Sequence, residues 1–66
     1  MKIIDLNSEQ GNVFFIFSLI KEEMERLGYT KEIISTTIEN YQTMTYDQII
    51  EEIEINFGDE LKFIKL

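Results

Sequence analysis

The residues that could do chemistry in this chain are carboxylates and phenols. Its 66 residues include 13 Asp and Glu and 3 Tyr, but no His or Cys. Neither a Ser–His–Asp nor a Cys–His arrangement can be built in one such chain, so acid–base work would fall to carboxylates or Tyr. A zinc site would have carboxylate ligands alone, which zinc disfavours. The sequence therefore predicts no enzyme, no metal site and no cofactor.

Carboxylates are densest between residues 47 and 60, where no Lys or Arg interrupts them. On a helix, Asp47, Glu51 and Glu54 fall at i, i+4 and i+7 and form one stripe. One interpretation is a solvated surface that keeps a small protein dispersed. The other is a negative patch that steers a basic partner, such as a nucleic-acid-binding protein. In the second interpretation Glu51 and Glu54 form the partner-binding face, with Ile55 as its apolar anchor.

The run Val-Phe-Phe-Ile-Phe at residues 13–17 makes the start of a predicted helix apolar nearly all round. Phe14 and Phe15 point away from the main apolar stripe, and Leu19 lies beside Phe15 at i+4. Such a helix is either a central core helix or one that meets another molecule. Because 66 residues offer little surface to cover it, we predict a homo-oligomer, a dimer, with Phe14, Phe15 and Leu19 at the interface.

Apolar spacing predicts the first helix from about Asn12 to Leu27. Its stripe consists of Val13, Ile16, Phe17, Ile20, Met24 and Leu27. Asn12 is the expected N-cap and Gly28 the expected stop, with positive φ. A Glu22–Arg26 pair is spaced for an i, i+4 contact.

Two further helices are predicted. The second follows Thr30 as N-cap, runs to about Gln42, and has an apolar face of Ile34, Ile38 and Tyr41. The third has a capping box, Thr45 with Gln48 at N3, and a glycine stop at Gly58. Its apolar face comprises Tyr46, Ile49, Ile50, Ile53 and Phe57.

The two ends of the chain read as short strands. In residues 1–6, Ile4 and Leu6 share a face that Lys2 interrupts, and residues 60–66 carry apolar groups on both faces. We predict that these strands pair, giving a mostly helical α+β fold, β-α-α-α-β, in a single domain over residues 1–66. A lone two-stranded ribbon is marginal in water, so it must pack on the helices or join another chain's ribbon.

Charge and hydropathy restrict the partners. The net charge is −7, which disfavours free nucleic acid and anionic membrane surfaces. The chain is 44% hydrophobic, enough for a core, and no apolar run approaches the roughly 20 residues that span a bilayer. No signal-peptide pattern opens it. We expect a cytoplasmic protein.

Four segments resemble a group of short phage and prophage proteins: Gly11-Asn12-Val13-Phe14, Leu27-Gly28, Lys31-Glu32 and Tyr46-Asp47-Gln48-Ile49-Ile50. The pattern of that group is G-N-A-F, a helix ending near A-G, and G-D-Y-D-H-L-L, and the likeness covers roughly residues 10–57. This chain has Met44-Thr45 in place of the G-D and Gln48 in place of the His. Any role that the histidine has in that group is therefore not expected of Gln48.

The resemblance implies a phage-encoded accessory protein, and such proteins often counter host defence. It marks Gly11, Asn12, Phe14, Tyr46 and Asp47. If the first and third helices begin close together, their amides, Asn12 and the Tyr46 hydroxyl would form a small polar pocket beside Phe14, suited to an anion. The alternative is that Asn12 and Asp47 only cap or charge helix starts.

Three functions fit these observations. The first is a non-enzymatic phage-type protein that blocks or sequesters a host protein in the host cytoplasm through an acidic and aromatic surface. The second is an oligomeric sponge that binds an anionic, nucleotide-type ligand at helix N-termini. The third is a virion or assembly accessory protein.

Overall fold

A computed structural model describes residues 1–66. In chain order, the elements are strand β1 (Lys2–Asp5), a short 3-10 turn (Glu9–Gly11), helices α1 (Val13–Arg26), α2 (Lys31–Gln42) and α3 (Tyr46–Phe57), and strand β2 (Leu61–Ile64). The predicted β-α-α-α-β order is confirmed, as is the pairing of the terminal strands. None of the helices combines the length and the apolar character that a membrane span requires.

The helix starts form as their sequences predict. The Asn12 side chain accepts a hydrogen bond from the Phe14 amide, and Thr45 and Gln48 form a reciprocal capping box. Gly28 adopts a φ of 91°, as expected at the end of α1. Gly58 differs, because its φ of −61° is right-handed. There the glycine is required by a close approach, since a Cβ would lie 2.5 Å from the carbonyl oxygen of Glu54.

The two strands pair in parallel, with the three helices as the crossover between them. The register runs from Lys2 opposite Leu61 to Asp5 opposite Ile64. Ile4 and Leu61 are buried against the helices, whereas Ile3 and Lys62 point the other way and are exposed. The sheet is thus covered by the helices on one face.

The core joins the inner face of the sheet to all three helices. Its buried members are Ile4, Ile16, Leu19, Ile20, Met24, Ile34, Tyr41, Ile49, Ile50, Ile53, Phe57 and Leu61. The predicted stripe of α1 is buried or half-buried except at Leu27, which is 44% exposed because it follows the last helical residue.

Candidate protein-binding surface

The exposed side of α3 is acidic. Asp47, Glu51 and Glu54 are exposed along it, and Ile55 beside them has 70% of its surface accessible. The three ion pairs of the molecule involve only Lys2, Glu22, Glu23 and Arg26. Every carboxylate between residues 47 and 60 therefore lacks a cationic partner. This surface can attract a basic molecule and offers it one aliphatic contact.

Two aromatic residues stand out at the start of α1. Phe14 is 73% exposed and Phe15 is 41% exposed. Leu19, which the sequence assigned to the same interface, is 7% exposed and belongs to the core. At 100° per residue it lies near Ile16 and Ile20 on the buried side of the helix, so its own chain already covers it. Of the three residues assigned to the interface, only Phe14 and Phe15 remain available to another molecule.

A hydrogen bond ties the start of α3 to the 3-10 turn that leads into α1. The Tyr46 hydroxyl donates to the carbonyl oxygen of Gly11 at 2.6 Å, across 35 residues of chain. Burial, followed by the charge of Asp47, raises the pKa of the Tyr46 hydroxyl and favours its protonated, donating form. The acidic side of α3 and the exposed Phe14 thus begin at the same end of the molecule.

The polar groups of this junction are already used by the fold. Asn12 accepts from the Phe14 amide at 2.8 Å, and Tyr46 is bound to Gly11. None of the five main cavities is lined by the residues that the resemblance marks. The structure therefore brings Gly11 and Tyr46 together outside these five cavities, and leaves Phe14 and Asp47 on the surface.

Gly11 itself is fixed by packing. A Cβ at this position would lie 2.1 Å from the carbonyl oxygen of Leu6, far inside van der Waals contact. The glycine lets the 3-10 turn pass directly over the end of β1. This close approach accounts for Gly11, and N-capping of α1 accounts for Asn12.

Sequence reasoning missed a buried carboxylate, Glu23, which is 3% exposed. Its Oε2 accepts two hydrogen bonds from Arg26, at 3.1 and 2.8 Å, and its Oε1 lies 3.0 Å from Lys2 Nζ. The hydrogen bonds from Arg26, then from Lys2, lower the pKa of Glu23. Arg26 thus pairs with Glu23 at i, i+3, and the expected Glu22–Arg26 pair does not form.

Two irregularities in the sequence point to this ion cluster. Glu23 occupies a core-facing position of α1, three residues after Ile20 and seven after Ile16. Lys2 interrupts the apolar face of β1. Each irregularity explains the other, since Lys2 extends over Glu23 from the inner face of the sheet and ties β1 to α1.

Tyr41 carries a second buried polar group. Its hydroxyl is enclosed, and although Asn56 lies beside it, the two side chains do not form a hydrogen bond of normal geometry. Burial raises the pKa of this hydroxyl. Tyr41 and Asn56 line a cavity of about 230 Å³ between α2 and the end of α3.

Comparison with known proteins gave no match, whether to protein-family models, to curated proteins or to solved structures.

Proposed function

We propose that this chain is a small non-enzymatic binding protein of phage type that blocks or sequesters a host protein, as in counter-defence. The proposed contact surface, here called the acidic face, consists of Glu51, Glu54 and Ile55 on α3. Phe14 and Phe15, at the start of α1, add exposed aromatic side chains to this contact surface. The phage attribution rests on the G-N-x-F and Y-D-x-[LI]-[LI] segments of the sequence.

The observation that carries the proposal is the unpaired charge of α3. The exposed carboxylates Asp47, Glu51 and Glu54 lie along one side of one helix with no cation beside them, and a negative potential concentrated in this way attracts a basic partner. Ile55 and Phe14 are the most exposed apolar side chains of their helices, at 70% and 73%. Apolar anchors within a charged surround are typical of protein interfaces.

The test is capture of host proteins by the immobilised chain, with the paired substitution Glu51→Lys/Glu54→Lys. We expect specific capture of a basic protein that weakens as ionic strength rises, and at least a tenfold loss with this variant. Each substitution changes the charge by +2, so the variant has a net charge of −3 instead of −7.

Glu32→Lys/Glu39→Lys is the matched control, because both residues are exposed on α2, unpaired, and give the same net charge of −3. The control variant should retain the partner. Equal losses in the two variants would show attraction by net charge alone. Undiminished capture by the α3 variant would rule out the acidic face.

The alternative of an anion-binding sponge has less support. Its site needs free donors at the starts of α1 and α3, but the Phe14 amide and the Tyr46 hydroxyl are already bound within the chain. A sponge would lose its ligand on Tyr46→Phe and be unaffected by Glu51→Lys/Glu54→Lys. The third candidate, an assembly accessory, predicts capture of a phage protein in place of a host protein.

A further inference from the structure

The two-stranded sheet has one uncovered face, here called the outer sheet face. Side chains alternate along a strand, and Ile4 and Leu61 point into the core at 3% and 2% exposure. The opposite face therefore carries Ile3, Asp5, Lys62 and Ile64. Ile3, at 60% exposure, and Lys62 are exposed there, whereas Asp5 and Ile64 are half-buried. The ribbon packs on the helices through its inner face alone, which leaves the outer sheet face available to another molecule.

The parallel register arranges these four residues in a particular pattern. Ile3 lies beside Lys62, and Asp5 lies beside Ile64. The two isoleucines therefore occupy one diagonal of the face, while the aspartate and the lysine occupy the other. Neither Asp5 nor Lys62 forms an ion pair within the chain.

We propose that the outer sheet face binds a second copy of this chain, about a two-fold axis that runs along the Ile3–Ile64 diagonal. This rotation places Ile3 and Ile64 on their own equivalents and brings Asp5 of each copy to Lys62 of the other. Neighbouring strands lie about 4.8 Å apart and two residues along a strand span about 6.7 Å, so the Ile3–Ile64 diagonal is inclined at about 35° to the strands. Rotation about the diagonal doubles this angle, and the strands of the two copies therefore cross at about 70°. That angle is near the orthogonal class of sheet packing.

A second copy fits this face better than an unrelated partner of one charge. An acidic surface would repel Asp5 and a basic surface would repel Lys62, whereas the same face rotated about the diagonal pairs both charges. The patch is smaller than the roughly 800 Å² per partner of a stable interface, so the dimer is weak and concentration-dependent. The proposal uses none of the residues of the acidic face and is independent of the proposed function.

The test is sedimentation equilibrium of two charge-reversed variants, separately and mixed. In a dimer of the Lys62→Glu variant, the new carboxylate of each copy lies opposite Asp5 of the other copy. In a dimer of the Asp5→Lys variant, the new amine of each copy lies opposite Lys62 of the other copy. We expect each variant alone to associate about tenfold more weakly than the parent chain. In an equimolar mixture both contacts become attractive again, so the mixture should associate about as strongly as the parent.

Fold integrity and surface specificity need separate controls. The Asp5 Oδ1 accepts from the amides of Asn7 and Leu66, so Asp5→Asn, which keeps an oxygen acceptor, serves as a second variant without the charge. Ile3→Ser should weaken association, whereas Ile55→Ser, at a comparably exposed position on α3, should not. The proposal is overturned if the parent chain stays monomeric at millimolar concentration or if the mixture fails to associate. It is equally overturned if Phe14→Ser abolishes association while Lys62→Glu leaves it intact, which would place the interface on α1.

Discussion

Glutamates occupy two opposite environments in this molecule. At the junction of β1 and α1, Glu23 is buried beneath Lys2 and Arg26 and accepts hydrogen bonds from Arg26. On α3, Glu51 and Glu54 are exposed and have no cation within reach. The first carboxylate is needed to join a strand to a helix. The others are not used by the fold.

The same contrast separates the two groups of residues that the sequence singled out. Gly11 and Tyr46 are used by the fold, Gly11 through its close approach to Leu6 and Tyr46 through its hydrogen bond to Gly11. The acidic face has no intramolecular role of this kind. Substitutions at Gly11 or Tyr46 should therefore change stability, whereas substitutions on the acidic face should change binding.

The largest effect on stability is expected at Gly11. In Gly11→Ala the new methyl group would meet the Leu6 backbone, which cannot move without displacing β1, so we expect a loss of about 3 kcal/mol in the free energy of unfolding. Urea denaturation measures it. Gly28→Ala is the matched control: its φ of 91° is strained for alanine, but no atom lies within 4 Å, so about 1 kcal/mol should be lost. Equal losses would show that backbone conformation, and not the close approach, selects glycine at position 11.

A smaller effect is expected from Glu23→Ala. It leaves Lys2 and Arg26 without their shared carboxylate, but both cations are about half exposed and can be hydrated. We therefore expect a loss of about 2 kcal/mol, less than for a fully buried ion pair. Glu51→Ala should change the free energy of unfolding by under about 0.5 kcal/mol. If the two variants lost similar amounts of unfolding free energy, the buried and the exposed glutamates would not differ in their contribution to stability.

The smallest effect is a change in pH dependence. The pKa of Glu23 is lowered from 4.5 in the folded chain by the hydrogen bonds from Arg26 and Lys2. Its contribution to stability is therefore complete above about pH 4.5 and is lost as the pH falls through the lower, folded value. Glu23→Gln should remove this part of the acid-induced loss when urea midpoints are compared from about pH 6 to about pH 3. An unchanged pH profile would contradict the ion cluster.

Much of this fold follows from local signals in the sequence. The caps at Asn12 and Thr45 and the stop at Gly28 depend on neighbours a few residues away, and each of them forms. The predicted apolar face of α3 is buried from Ile49 to Phe57, but Tyr46, which the same spacing included, is 37% exposed because it lies at the first helical residue. The apolar ends of the chain indicated paired strands. Their parallel direction had no local signal, because it depends on how three helices return the chain to the same end of the sheet.

The candidate functional residues show the same division between local and long-range signals. Sequence alone identified the unbalanced acids of α3 and the exposed Phe14, since charge and helical spacing fix which residues share a side of a helix. Tertiary structure decided that Leu19 is core, that Lys2 and Glu23 meet, and that Gly11 and Tyr46 are held together across 35 residues. These are contacts between segments distant in the chain, and their free energy depends on packing, which no local pattern of residues encodes.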